Sequence, residues 1–307
     1  MSPGALRAGS RCAARLLPPA RRGEADARTL LGPGLARSRR LGPGVEFASL
    51  REYREGDDPR RIDWRASARR PDPARLLRLV VRDYVAEDPS RTAVAAVLGG
   101  SMLYWDKLEA LLYAAGLLYE AARRLGDRVA TVVAAPWGAR RLEAGDPRVQ
   151  LAALAGEACR LLEETEPGPE APGLDEAARL LPRRMDVAVL LADYAHGLGE
   201  YVVFARRLRA GYAAGVAALA TSLHEHVRPR WLPRGAPMLP AGAAAGGVDA
   251  ESLFEAAEAH LALVEESLRS TGVRAVRLEG EDGARAAAPR LLDAYLAARA
   301  RTPVARV

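Results

Sequence analysis

From about residue 90 onward, the apolar residues of this 307-residue chain alternate between two patterns. Short, nearly unbroken apolar runs suit strands buried on both faces, and longer stretches with a 3.6-residue apolar period suit amphipathic helices. Thr92–Leu98 is the first such strand. A helix from about Asp106 follows, with Leu108, Leu111, Leu112, Ala115, Leu118, Ala122 and Leu125 on one face and Gly126 as its stop. Arg128–Ala135 is the next strand, and Pro136-Trp137-Gly138 turns it into Ala139–Leu142 as an antiparallel edge hairpin. Pro147–Glu163 reads as a helix, Glu164–Gly173 as a loop and Leu174–Leu181 as a short helix. Met185–Ala192, ending at Asp193, is the strongest strand. Leu198–Arg209 (helix), Gly215–Ala220 (strand), a helix from Asp249 to Thr271 stopped by Gly272, Val273–Leu278 (strand) and Ala284–Ala300 (helix) complete the series. Strands alternating with helices predict a mostly parallel sheet covered on both faces. The Pro-, Gly- and Ala-rich stretch Arg228–Gly247 reads as a loop.

The first ninety residues are different. Residues 1–43 are rich in Arg, Ala, Pro and Gly and show no sustained period, so they read as a tail or docking arm, with Ala13–Leu17 as a short strand at most. Gly44–Arg70 holds seven arginines and six acids threaded with Phe47, Leu50, Tyr53, Ile62 and Trp64. Mixed signs beside aromatics predict a folded, ion-paired surface, since an arginine fork binds carboxylates through paired hydrogen bonds. Here Trp64 is expected to anchor a core and Gly56 to permit a tight turn. Asp57, Asp58 and Asp63 are expected to pair with neighbouring arginines. The chain thus divides into an arm (1–43), a charged collar (44–85) and an α/β domain (86–302).

Composition changes this picture only slightly. A net charge of +6 and a pI near 9.7 suggest a polyanionic partner. However, Lys107 is the only lysine, Ile62 the only isoleucine, Gln150 the only glutamine, and asparagine is absent. That bias follows G/C-rich codons, which weakens arginine content as a sign of nucleic-acid binding. An arginine-driven nucleic-acid binder is kept as the alternative function class. Cys12 and Cys159 match no metal or redox spacing, so inert thiols in a reducing compartment are expected. With no uninterrupted apolar leader and no membrane-length apolar run, the chain reads as cytoplasmic.

The collar also carries a resemblance. Gly44-Val45-Glu46-Phe47, Leu50-Arg51-Glu52-Tyr53, Gly56-Asp57-Asp58-Pro59-Arg60, Ile62-Asp63-Trp64 and Ser67-Ala68-Arg69 together resemble the signature of the family called domain of unknown function 58. Gly99-Gly100-Ser101-Met102, Lys107 and Gly126-Asp127-Arg128-Val129 continue it. The resemblance covers residues 40–220 well and the remainder loosely. It implies a doubly wound sheet similar to von Willebrand factor type A domains, with a possible metal site at the strands' C-terminal edge. It also implies a non-enzymatic adaptor or assembly factor working beside a MoxR-type AAA+ ATPase. Many members carry membrane helices. None is evident here, so a membrane link would come through a partner.

The metal that the resemblance suggests fits this sequence poorly. Type A domains hold Mg²⁺ through an Asp-x-Ser-x-Ser motif together with a Thr and an Asp from other loops, because a hard ion wants oxygen ligands. The corresponding residues are Val97, Leu98, Gly99, Gly100 and Ser101. Ala171-Pro172-Gly173-Leu174 offers no hydroxyl, and Asp193 alone matches the remaining carboxylate. The expectation is a degenerate site with no cofactor. Asp193, His196, His224 and His226 are alternative ligands for Zn²⁺ or Mn²⁺ on residue type alone. No Walker loop, His-Glu-x-x-His or Gly-x-Ser-x-Gly is present, so no enzyme is expected. Ser101, Tyr104, Trp105, Asp193 and Tyr194 are the candidate protein-binding residues, with the two aromatics as anchors.

Overall fold

The computed structural model describes residues 3–32, 46–53, 59–68, 79–85, 90–142, 145–168, 171–182, 185–212, 214–221 and 250–300. The chain divides into two compact units, residues 33–89 and the remainder, 1–32 with 90–307.

In the larger unit the alternation of apolar runs becomes a six-stranded sheet. Its strands are β3 (Arg91–Val97), β4 (Arg128–Ala135), β5 (Gly138–Arg141), β6 (Val187–Asp193), β7 (Ala214–Thr221) and β8 (Val273–Glu279), in the order β5-β4-β3-β6-β7-β8. Every pairing is parallel except β4 with β5, which is the expected antiparallel edge hairpin. β6 and β7 are buried at every position, as expected of strands covered on both faces. The fold is therefore a Rossmann-like, doubly wound α/β sheet.

Helices cover both faces. On one face lie α5 (Leu174–Leu180), α6 (Leu198–Gly211) and α7 (Ala250–Ser270). Their Leu174, Tyr201, Phe204, Leu208, Leu261, Val264 and Leu268 pack on Ala93, Ala95, Ala188, Leu190, Ala217 and Leu219 of the sheet. The other face carries α3 (Lys107–Leu125), α4 (Pro147–Glu164) and α8 (Gly280–Ala300). α3 ends as its sequence predicts, with Gly126 in the left-handed conformation at φ 82°. α8 is tied to the N-terminal end of the sheet by a buried network. Asp127 accepts hydrogen bonds from the Ser90 backbone N–H, the Tyr295 hydroxyl and Arg299 Nε, and Tyr295 also meets the Thr92 hydroxyl.

The expectation for the N-terminus needs correction. Pro3–Leu31 is neither a tail nor a strand at Ala13–Leu17 but a helix, α1, packed on α3. Cys12, Leu16, Ala20, Gly23, Ala27 and Leu31 are buried along one stripe at helical spacing, with Gly23 at a close approach of the two helices. A Cβ on Gly23 would collide with the Tyr113 carbonyl, and one on Gly116 with the Ala20 carbonyl. α1 therefore lies outside α3 as an additional layer. Consequently every residue of α3 except Arg123 and Arg124 is buried, a helix enclosed all round. Its buried acids are met from α1: Arg15 pairs with Glu109, Arg28 with Glu120, and Asp26 accepts the Tyr113 hydroxyl at 2.7 Å. Pro18 and Pro19 lie inside α1, and proline's missing N–H is what hides the helix from a sequence reading.

A covalent link reinforces this layer. Cys12 of α1 and Cys159 of α4 are joined in a disulfide, with Cα atoms 5.4 Å apart, so the expectation of two inert thiols is overturned. Residues 147 positions apart give no local signal of such a bond.

The smaller unit is built on an antiparallel pair, β1 (Glu46–Glu52) with β2 (Val80–Val85), and a short helix α2 (Trp64–Ala68). Asp63 caps α2, its Oδ1 accepting from the Ala66 N–H at 3.0 Å, and its own N–H donates to the Val80 carbonyl at 2.8 Å. The buried Ser67 hydroxyl accepts from the Val80 N–H at 2.9 Å and donates to the Asp63 carbonyl. Two signature residues, Asp63 and Ser67, thus fasten α2 to β2. Trp64, expected as a core anchor, is instead 62% exposed, because Ser67 is the α2 residue that turns inward. Tyr53 is half-buried, its N–H donating to the Leu79 carbonyl, and Arg60 is exposed. The side chains of Glu46 and Arg51, and residues Gly56, Asp57 and Arg69, lie outside the described part.

Candidate functional site

The chain leaves β3 toward β4 on one side and later returns to place β6 on the other. The strand order therefore reverses between β3 and β6, and ligands of open α/β sheets bind in the crevice outside the C-terminal strand ends at such a point. Ser101 and Lys107, after β3, and Asp193, at the end of β6, lie here.

An ion pair fills the crevice. Lys107 Nζ lies 2.7 Å from Asp193 Oδ2, with side-chain exposures of 0% and 2%. The other carboxylate oxygen, Oδ1, accepts the Ala195 backbone N–H at 3.1 Å. Two aromatic rings flank the ammonium, with the Tyr104 and Tyr194 centroids at 5.9 Å and 5.8 Å. The buried Tyr201 hydroxyl donates to the Asp193 carbonyl, which helps set the end of β6. Burial raises the Tyr201 phenol well above its ordinary pKa, with Asp193 and Glu200 adding to the shift, so it remains a neutral donor.

Beside this pair, His196 is buried. Desolvation pushes its pKa below the ordinary 6.5 and Lys107 acts the same way, while Asp193 and Glu200 pull it up without prevailing. His196 is therefore neutral at neutral pH, and its Nε2 has no hydrogen-bond partner among the described residues. His260, on α7, contributes what sequence reading missed. Its Nε2 donates to the carbonyls of Tyr194 at 3.2 Å and His196 at 2.9 Å, pinning the loop after β6. Only the fold could reveal this, because 64 residues separate His260 from His196.

These residues do not suit the Mg²⁺ ion that the resemblance suggests. Val97 and Leu98 are buried apolar side chains, and both oxygens of the Asp193 carboxylate are engaged. The loop after α4 also closes over the turn: a Cβ on Gly100 would lie 3.0 Å from the Glu166 carbonyl and 3.1 Å from the Gly168 backbone. Ser101 is 7% exposed. A Mg²⁺ ion needs several oxygen ligands in near-octahedral order, and this crevice presents an ammonium instead. No group of three or more His, Cys, Asp or Glu among the described residues could hold a metal, and His224 and His226 lie outside those residues.

Of the candidate protein-binding residues, Ser101, Asp193 and Tyr194 are buried, whereas Tyr104 and Trp105 are half-exposed. Trp105 has a positive φ of 56°, a costly conformation for a bulky residue, and its carbonyl accepts from Arg15 Nη2 of α1 at 3.0 Å. Asp106, next in the chain, receives the Glu281 N–H at 2.8 Å and so secures the start of α8.

A family model described as protein of unknown function DUF58 matches residues 49–225. No curated protein matches the chain. Among solved structures, the chain is similar to an aerotolerance-related membrane protein from Bacteroides fragilis NCTC 9343 with multiple mutations to serines. The TM-score is 0.42 at 14% identity, covering 66% of this chain and 98% of that one. No helix among the described residues is long and apolar enough to cross a membrane. The family match spans more than half of the sequence and takes in most of the charged signature together with β3 through β7, so the chain belongs to the DUF58 family of proteins of unknown function.

Proposed function

We propose that this chain is a non-enzymatic protein-binding module of the von Willebrand A-like kind, acting as an adaptor or assembly factor for a MoxR-type AAA+ ATPase. The observation that carries this reading is Trp105. A large aromatic in a strained turn, half-exposed at the C-terminal sheet edge, has its backbone held by an arginine from another helix. Strained, over-determined positions cluster at functional sites, and tryptophan is the side chain most enriched in interface hot spots. The Lys107–Asp193 pair behind it supports a recognition role, since both charged groups are sealed against each other rather than offered to a substrate. The site thus acts as a degenerate metal-ion-dependent adhesion site whose contact surface is Tyr104 and Trp105.

Ion pairing weighs against the nucleic-acid alternative. Arg15, Arg22, Arg28, Arg123, Arg140, Arg277 and Arg299 are all engaged by carboxylates, so this part of the basic charge is paired within the fold rather than offered to phosphates. The test is size-exclusion co-elution with a purified MoxR-type AAA+ ATPase. Wild type is expected to co-elute, and Trp105→Ala to weaken binding about tenfold or more, as hot-spot truncations do. Absence of a complex with the ATPase, alongside a salt-resistant complex with nucleic acid, would refute the reading.

A further inference from the structure

We propose that Lys107 is the resident cation of this sheet edge: its ammonium takes the place beside Asp193 that a divalent ion would need, so the edge keeps its shape without metal. The inference concerns what neutralises Asp193 and not what the surface binds, so it stands independently of the proposed partner.

Three features support it. First, Lys107 is the opening residue of α3, where the helix dipole disfavours a positive charge. A lysine buried completely at that position needs a compensating anion, and Asp193 at 2.7 Å supplies it. Second, the surroundings favour an ammonium over a divalent ion. The rings of Tyr104 and Tyr194 stand at cation–π distance, and one carboxylate oxygen is already committed to the Ala195 N–H. The backbone of Glu166 and Gly168 closes the turn at Gly100, where further oxygen ligands and water would otherwise enter. His196, neutral beside the pair, brings no second positive charge. Third, Lys107 is the single lysine of a chain that otherwise uses arginine. An ammonium is a compact point charge on a flexible stem and fits where an ion would sit, whereas a planar guanidinium with five donors does not.

Two measurements test the proposal. Chelator-treated wild-type protein is titrated with Mn²⁺ and followed by the electron paramagnetic resonance signal of the free ion, and its melting is compared in millimolar Mg²⁺ and in EDTA. The free-ion signal is expected to stay undiminished, and the two melting temperatures to agree within about 1 °C, whereas a saturated native-state site would raise the melting point by several degrees. Saturable Mn²⁺ binding by wild type, with a matching rise in melting temperature in Mg²⁺, overturns the proposal. In parallel, Lys107→Met keeps the stem and removes the charge. It is expected to melt several degrees lower because Asp193 is left buried without its cation, and Lys107→Met/Asp193→Asn is expected to recover part of that loss. A single Lys107→Met variant as stable as wild type also overturns it. The wild-type Mn²⁺ titration decides the question even where the variants do not fold.

Discussion

The α1–α3 contact can be tested with two alanine substitutions of opposite expected sign. Gly116 lies in the middle of α3, and replacing glycine by alanine in a helix interior ordinarily stabilises by about 1 kcal/mol, because the unfolded chain loses freedom. At position 116, however, the new methyl meets the backbone of Ala20, with its carbonyl carbon at 2.9 Å and its Cα at 3.1 Å, and backbone cannot rotate away as a side chain can. Relieving the clash requires the two helices to move apart along a stripe that holds Leu16, Ala20 and Ala27. Overpacking of this kind costs about 1–3 kcal/mol, and a backbone clash belongs at the upper end. Subtracting about 1 kcal/mol of helix propensity from about 3 leaves Gly116→Ala destabilised by about 2 kcal/mol. Gly156, exposed on α4, is the control: a Cβ there meets nothing within 4 Å, so Gly156→Ala is expected to stabilise by about 0.5–1 kcal/mol. Urea unfolding followed by circular dichroism measures both, with the midpoint shifting down for the first and up for the second at similar slope. If Gly116→Ala were as stable as the parent, or stabilised like Gly156→Ala, α1 would not be seated on α3 in solution.

Two further predictions test the same layer. The Cys12–Cys159 disulfide spans 147 residues, for which chain entropy alone allows about 5 kcal/mol; after allowance for structure in the unfolded chain, about 2–4 kcal/mol is expected. Reductant, or Cys12→Ser, should therefore lower the melting temperature by several degrees, and an unchanged melt would show that the bond does not form. Glu120 should contribute to acid sensitivity. Burial alone would raise its pKa, but hydrogen bonds and charge from Arg123, with Arg28 and Arg124, outweigh that and hold it below the ordinary 4.5. Because the folded value lies below the unfolded one, this stabilisation is complete above about pH 4.5 and is lost as pH falls through the folded value. Glu120→Gln should flatten the stability profile in that acid range, and a profile that keeps its full acid slope would contradict the assignment.

Much of the fold was legible because its signals are local. The Thr92–Leu98 and Met185–Ala192 runs announce strands covered on both faces, and Gly126 and Gly272 mark helix ends by the left-handed turn each makes. Pro136-Trp137-Gly138 similarly announces the hairpin at the sheet's edge. The candidate site was legible only in outline. Asp193 stands out because it ends the strongest strand, and the missing carboxylate at Val97 already argued against Mg²⁺. That Lys107 reaches Asp193 was not visible, since 86 residues separate them and a lysine opening a helix ordinarily faces water. Trp64 misled for a related reason: aromatic character suggests burial, but which side of a five-residue helix faces inward depends on what it is fastened to.

By itself, the sequence determined the alternation of strand and helix, the family and the poverty of the metal motif, because periodicity, turn residues and motif spacing act over a few residues at a time. Tertiary structure alone decided the rest. It seated α1 on α3 despite Pro18 and Pro19, joined Cys12 to Cys159, brought His260 to the loop after β6 and closed Lys107 onto Asp193. Each of these matches a group with a complement far along the chain. A buried charge, a close helix crossing or a thiol finds its partner only once the fold has made them neighbours.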